Sequence, residues 1–523
     1  MYAMEIKVDV LTLTAAQLQR LLGAKVVTSV DVVKLYLAQI SKHNHAGLHL
    51  NAIISVAEHD SLIARAQELD YERSQGRDLC NTVDLPTTCG SYAFKQGRPK
   101  KNANLINTLK EAGLIILAKA NLSELGNAKG SDLMAGWSAV GGQVRLQQAR
   151  SAACSTDQYH QTQSPYIKGG VAKNATWFTN TGPAGSSSGS AVSVAAGFAP
   201  VSLGTELNGS IMMPAARTGL YAVKLTPESV DNDGFQPGAP GWDSQGPYAK
   251  TATDIATLSA ILQLHDPGYY HPLTTSWNGL KVGFVDPTLW RSDPTAIEPV
   301  EGFFNQTDNA LFAAQAKIEE SGGKVARSVP VASWEDITGA MPDFSQMEEI
   351  FPFQMKRRFP KFLQLFDSVP QTLEELIKFN EDHADLEFTE RDNNQKGLEA
   401  GRDTTITQEQ YDRNFEALRG TASHTLLGMM KEYDVDVLLG PCDSRFNSVG
   451  AAAGFPVGNL PLGFADFNGR PFSLHAIAPA NEEAKIFQVM SAWEASFPDN
   501  VRPPPLLVDG AFPLQQIVME DVN

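Results

Sequence analysis

The chain has 523 residues, 42% of them hydrophobic and 19% charged, the balance of a folded globular protein and not of a disordered or fibrous one. Its net charge of −17 argues against nucleic acid or an anionic membrane as a partner, because phosphate binding needs concentrated Lys and Arg; a small neutral or cationic molecule fits better. The four cysteines (Cys80, Cys89, Cys154, Cys442) form no CxxC pair, so neither a disulfide framework nor a zinc site is expected, and a reducing compartment is.

The opening stretch MYAMEIKVDVLTLTAAQLQRLL lacks the charged, then apolar, then small order of a leader, and no run approaches the roughly 20 apolar residues of a membrane span. The expected location is cytoplasmic. Residues 15–24 and 29–41 read as helices; the second starts at Thr28-Ser29, has Asp31 in its first turn and is expected to bury Val32, Val33, Tyr36, Leu37 and Ile40. LNAIISV (50–56) reads as a strand, 58–74 and 103–112 as helices, AGLIILAKA (112–120) as a buried strand, and NLSEL after it as a helix start. From Val144 to Lys173 the chain is polar and aperiodic, hence loop.

The texture then changes. Residues 182–226 combine a Gly/Ser-rich loop, a small-residue helix (189–197) and a second Gly/Ser-rich loop before Pro214. Small residues allow close backbone approach, and such loops present backbone N–H groups to a ligand. KVGFVD (281–286) and DVDVLLGP (434–441) look like strands, with an amphipathic helical region around 345–385 between them. Strand and helix alternate with no Pro/Ser-rich linker, so one large α/β domain is expected, with a mixed central sheet flanked by helices on both sides. The charge run at 381–403 reads as a solvated face or loop.

On residues alone, three readings of the loop serines stand side by side. Ser186, Ser187, Ser188, Ser190 and Ser210 can cap helices and satisfy backbone donors. They can cradle a phosphate at a helix N-terminus, although no G-x-x-x-x-G-K-[ST] is present. GSSSG (185–189) also matches G-x-S-x-G with Ser187 at its centre, but the preceding FTNTGPA is no strand, as a nucleophile elbow requires.

AGSSSGSAVSVAAGFAPVSLGTELNGSIMMPAA (184–216) resembles the signature of the amidase-signature family, in which a GGSSGGSA-like loop and a GTDxGGS-like loop stand at this separation. Weaker similarity runs through TSVDVVKLYLAQI, DLPTTCGS (84–91), EAGLIILAKANLSE (111–124), DSQGPYAKTATD (243–254) and GFPVGNLPLGF with NGRPFSL (454–474), with a fungal texture. The resemblance implies a single domain over 1–523: N-terminal helices at 10–75, a core at 84–260, a variable substrate-side region about 330–400 and a return to the sheet at 430–500. It implies a serine hydrolase of carboxylic amides with Ser210 as the acyl-ester nucleophile and Ser186, preceded by a cis peptide, as the proton relay. The N–H groups of Leu207, Asn208, Gly209 and Ser210 fall on the oxyanion stretch, with Ser186 beside them, and Ser187 and Glu206 would support the site from behind. Glu206 replaces a commoner aspartate, and Asn208 a glycine or aspartate. No cofactor or metal is implied, the partner is a small-molecule amide, and the chain would be a monomer or homodimer.

A serine hydroxyl needs a base, which in the family is a buried, uncharged lysine ending an apolar strand just before LPTTxGS. LPTTCGS is present at 85–91, but AQELDYERSQGRDLCNTVD (66–84) before it holds neither that strand nor a lysine. Arg77 slides into register, yet a guanidinium is no base near neutral pH. Lys119 matches a second lysine of the family and reads as a strand-end residue, and Lys95 reads as a surface one. The family also runs directly from GGQ to TQSPY, whereas Val144–Gln161 intervenes here. Valine codons begin with GT and one glutamine codon ends in AG, so an in-frame intron read as coding is one origin for that insert, and a wrongly excised coding stretch one origin for the missing lysine. Two functions therefore compete: an amidase, impaired by lack of the base, and a non-catalytic amide-binding protein. A nucleotide-binding protein is a more distant third.

Overall fold

The computed structural model describes residues 8–75, 87–141, 161–172, 175–270 and 273–508. Arg77, Cys80 and Cys154, and the insert from Val144 to 160, lie outside the described residues.

The N-terminal region opens with α1 (Ala15–Gly23) and α2 (Ser29–His43). Each starts with a capping box: Thr14 with Gln17, and Thr28 with Asp31, so the side chains and backbones satisfy one another's donors. In α2, Val33, Tyr36 and Ile40 are buried as expected, while Val32 and Leu37 are half-buried. Then follow β1 (Ile53–Val56), α3 (His59–Gln75), β2 (Arg98–Pro99), α4 (Asn104–Glu111) and β3 (Ala118–Ala120). β1 and β3 form an antiparallel pair of their own.

One expectation fails here. The strand predicted over 112–120 is confined to its last three residues; Leu114, Ile115, Ile116 and Leu117 run half-buried ahead of it, with the Leu117 carbonyl accepting from Ala57 N–H at 3.0 Å. An apolar run with no period identifies burial but not the strand that would cover it. NLSEL leads into a kinked 3₁₀ turn (Glu124–Asn127) instead of a helix.

The site region follows as α5 (Ser188–Ala195), β4 (Ser202–Glu206), α6 (Met212–Thr218), β5 (Tyr221–Lys224) and β6 (Ser244–Ala249). After α7 (Ala252–Leu262) come β7 (Lys281–Val285), α8 (Phe303–Glu320), β8 (Lys324–Val329), β9 (Phe366–Asp367), β10 (Val437–Pro441), β11 (Val457–Phe464) and β12 (Pro471–Ile477). Eight of the strands make one sheet in the order β4-β6-β5-β11-β12-β10-β7-β8, parallel at β10–β7 and β7–β8 and antiparallel elsewhere. The fold is therefore α/β with a mixed central sheet, as the sequence predicts.

Both faces of the sheet are covered. Val437 and Leu439 pack with Val223, Phe284, Phe487 and Trp493 on one face, while Leu438 packs with Ala222, Ile211, Met212 and Phe446 on the other. That alternation along β10 is the period-2 pattern of a strand buried on both sides. The charge run at 381–403 is not uniformly solvated: Glu387 and Asp392 are buried, each held by a partner 258 residues away in sequence.

Candidate active site

The two Gly/Ser loops meet on the α6 face of the sheet. The Ser187 N–H donates to the Ser210 carbonyl at 3.0 Å, and Ser123 N–H donates to the Ser186 carbonyl at 2.9 Å. The Gly185–Ser186 peptide is cis. No strand precedes Ser187; its hydroxyl instead accepts from Thr205 N–H and donates to Thr205 C=O, both at 3.2 Å, covering the free edge of β4. α5 is buried throughout and rests on the β3 exit through Gly189, whose N–H donates to the Asn121 carbonyl at 3.1 Å.

The second loop runs from the end of β4 into α6. Glu206 is buried, and one oxygen accepts the N–H groups of Ile211 at 2.6 Å and Met212 at 3.0 Å. A carboxylate there also complements the positive end of the helix. Tyr248, buried on β6, donates its hydroxyl to the Ile211 carbonyl at 3.1 Å, and burial raises its pKa, with Glu206 adding to the effect. These two side chains fix the backbone on the far side of Ser210.

Between them the chain is open to a ligand. Gly209 has φ +81, the left-handed conformation that favours glycine, and a Cβ there would stand 3.1 Å from the Asn447 amide. Among the described residues, the N–H groups of Leu207, Asn208 and Ser210 have no hydrogen-bond acceptor. The Asn447 side chain lies 3.2 Å from the Asn208 amide oxygen, and in the orientation in which it donates to Ser444 C=O its oxygen is 3.3 Å from Gly209 N. Free donors grouped beside a half-buried serine can stabilise charge developing on a carbonyl oxygen.

Neither the Ser186 nor the Ser210 hydroxyl receives a hydrogen bond from an amino group among the described residues. Lys95 is exposed and stands over the Tyr92 ring, the surface position expected of it. Lys119 sits on β3 and is half-buried; burial lowers its pKa, partly countered by Cys89 and reinforced by Lys110. It lines a cleft of about 200 Å³ with Lys110, Leu114, Ile115, Ile116 and Gln236. Gln236 and Ser186 approach each other over Gly126: a Cβ at Gly126 would be 3.8 Å from the Gln236 amide nitrogen and 3.9 Å from Ser186 Oγ.

Sequence reasoning missed three features. Asn447 gives no local signal: it stands in the first turn of the helix Phe446–Ala453 after β10 and meets the site at Asn208. Lys129, Glu124 and Glu387 form a fully buried ion triad, with Nζ 2.8 Å from Glu124 and 2.6 Å from Glu387. Burial opposes the Lys129 charge, but the two carboxylates outweigh it and raise the pKa; burial raises Glu124, whereas Lys129 leads the interactions that bring Glu387 below its usual range despite burial. Glu387 also accepts from Ser91 Oγ at 3.0 Å and Tyr92 N–H at 2.7 Å, tying the 387 region to the segment after LPTT. The third is Lys224 on β5, fully buried with its amine unbonded among the described residues.

The profile of one family, Amidase, matches residues 31–486. A protein of Arabidopsis thaliana described as a probable amidase is 26% identical over 521 residues, covering 92% of this chain and 89% of the relative. A protein of Schizosaccharomyces pombe with a similar description is 26% identical over 544 residues, covering 92% of this chain and 84% of its own. Among solved structures, the peptide amidase of Stenotrophomonas maltophilia superposes with a TM-score of 0.76 at 25% identity, covering 94% of this chain and 98% of its own.

Proposed function

We propose that this chain, which belongs to the amidase family, hydrolyses a carboxylic amide through an acyl-ester on Ser210. The observation that carries the reading is the junction of the two loops: Ser187 N–H on the Ser210 carbonyl, with the N–H groups of Leu207, Asn208 and Ser210 left unbonded among the described residues. In the proposed sequence Ser210 Oγ attacks the amide carbon as its proton moves to Ser186 Oγ and the Ser186 hydroxyl proton moves on to the amide nitrogen. The carbonyl oxygen, now an anion, is held by the free N–H groups. Collapse breaks the C–N bond, the relayed proton leaves with the amine, and water then cleaves the ester to give the carboxylic acid and the free serine.

The base is what this chain supplies poorly. With no amine bonded to Ser186 among the described residues, the acylation step runs without the general base that commonly contributes on the order of 10²–10⁴ in rate. The half-buried run at 114–117 and the cleft beside it support the reading that a covering strand of the family pattern is missing from the chain. Sequencing the transcript across residues 70–165 tests the proposed gene-model origin; a cDNA that encodes Val144–Gln161 and joins Arg77 directly to Asp78 rejects it.

The same observation favours a second reading, an amide-binding protein with no turnover. Ammonia or amine release from a panel of aliphatic, aryl and peptide amides separates the two. Slow release that disappears in Ser210→Ala supports the hydrolase, and thermal stabilisation by an amide without release supports the binder.

A further inference from the structure

Lys224 is the feature of this core that the reaction scheme does not use. Its side chain is fully buried, and its amine has no hydrogen-bond partner among the described residues. The sheet alternation fixes which way it points. Tyr221, Val223 and Ala249 belong to the core on the far face, whereas Ala222 and Tyr248 pack with Ile211 and Met212 of the nucleophile segment. Two residues beyond Ala222, Lys224 extends into that same layer.

Four charged groups act electrostatically on its amine: Glu206, Arg419, Asp243 and Glu483. Three are already engaged. Arg419 donates to Gly241 C=O at 2.6 Å; Asp243 accepts from Gly238 N–H and Ala239 N–H at 3.1 Å and from Arg358 at 3.2 Å; Glu483 accepts from Thr226 N–H at 2.8 Å. Glu206 alone keeps a buried oxygen with no partner, while its other oxygen holds Ile211 and Met212 N–H. Glu206 is also the largest favourable charge acting on Lys224.

We infer that Lys224 is a positioning residue for the nucleophile segment: its amine, buried in the same layer as the unpartnered oxygen of Glu206, orients that carboxylate, and Glu206 in turn pins the backbone immediately after Ser210. This rests on the reading of Ser210 as nucleophile only for its catalytic consequence, not for the Lys224–Glu206–α6 linkage itself. Burial pushes the Lys224 pKa down to about 8, opposed first by Glu206, so the ammonium is present at neutral pH and lost in mild alkali.

Hydrogen exchange of the Ile211 and Met212 amides tests the linkage in the full chain, with phosphonate labelling of Ser210 read in parallel. Weakening a charge-assisted hydrogen bond should speed exchange on the order of tenfold. Lys224→Met is expected to do this at these two amides while the rest of the sheet keeps its protection; Lys224→Arg should retain protection, and Lys224→Met added to Glu206→Gln should produce no further change. Unchanged amides in Lys224→Met, or loss of protection throughout the sheet, would overturn the inference. A Lys224→Met chain that does not fold leaves Lys224→Arg to decide: protection lost in a folded Arg variant overturns it, protection kept supports it. Absence of Ser210 labelling in the unsubstituted chain would count against the hydrolase reading alone, since the exchange result needs no activity.

Discussion

Ser187 and Ser210, 23 positions apart in sequence, are joined by one backbone hydrogen bond of 3.0 Å, and that bond brings the two Gly/Ser loops into a single site. Everything near it is built on small residues and buried polar groups, so the consequences of substitution follow from sterics and charge.

Gly189 is a tight point of α5. A Cβ there would strike the carbonyl oxygens of Ala52 and Asn121 and the Asn121 nitrogen, which are all backbone and cannot rotate away. Gly189→Ala should therefore lower stability by about 1–3 kcal/mol or more, the cost of overpacking, as measured by urea unfolding. A neutral outcome would mean that α5 does not sit on β3 as closely as described.

The Lys129 triad should behave as a buried ion cluster. Lys129→Met leaves Glu124 and Glu387 without their cation and is expected to cost about 3–5 kcal/mol. Adding Glu387→Gln should recover part of the loss, because one uncompensated charge is then removed. Thermal melts of the single and double variants decide it.

His475, on β12, gives the pH dependence. It is fully buried, and burial pushes its pKa down to about 4, opposed only in part by the Met212 backbone and Asp443. An unfolded histidine titrates near 6.5, so between about 6.5 and 4 the unfolded chain binds a proton that the native one does not. Stability is therefore full above about 6.5 and falls with acidification, by about 3 kcal/mol at pH 4. Denaturant unfolding at pH 7 and pH 4.5 should show a smaller drop in His475→Leu than in the unsubstituted chain.

The legible parts of the molecule were those with local causes. Thr28 and Asp31 stand three residues apart and cap α2 as their spacing implies, and the two glycine–serine loops declare themselves by composition and separation. What failed was nonlocal. The apolar stretch at 112–120 predicts a buried strand, but only its last three residues are strand and 114–117 are half-buried, which tertiary structure alone decides. Glu387 sits in a run of charges that reads as solvated, because the lysine that buries it lies 258 residues earlier. Asn447 and Lys224 carry no motif, and each matters through a neighbour distant in sequence, Asn208 in the loop after β4 and Glu206 at its end.

Ser210 is proposed to act as a nucleophile held against N–H donors that have no acceptor among the described residues. Incubating the folded chain with a serine-reactive phosphonate and mapping the adduct by mass spectrometry tests it most directly. The account predicts slow, stoichiometric modification at Ser210, abolished by Ser210→Ala and reduced by Ser186→Ala. A folded chain that takes up no phosphonate, or one modified at Ser187 instead, would contradict it.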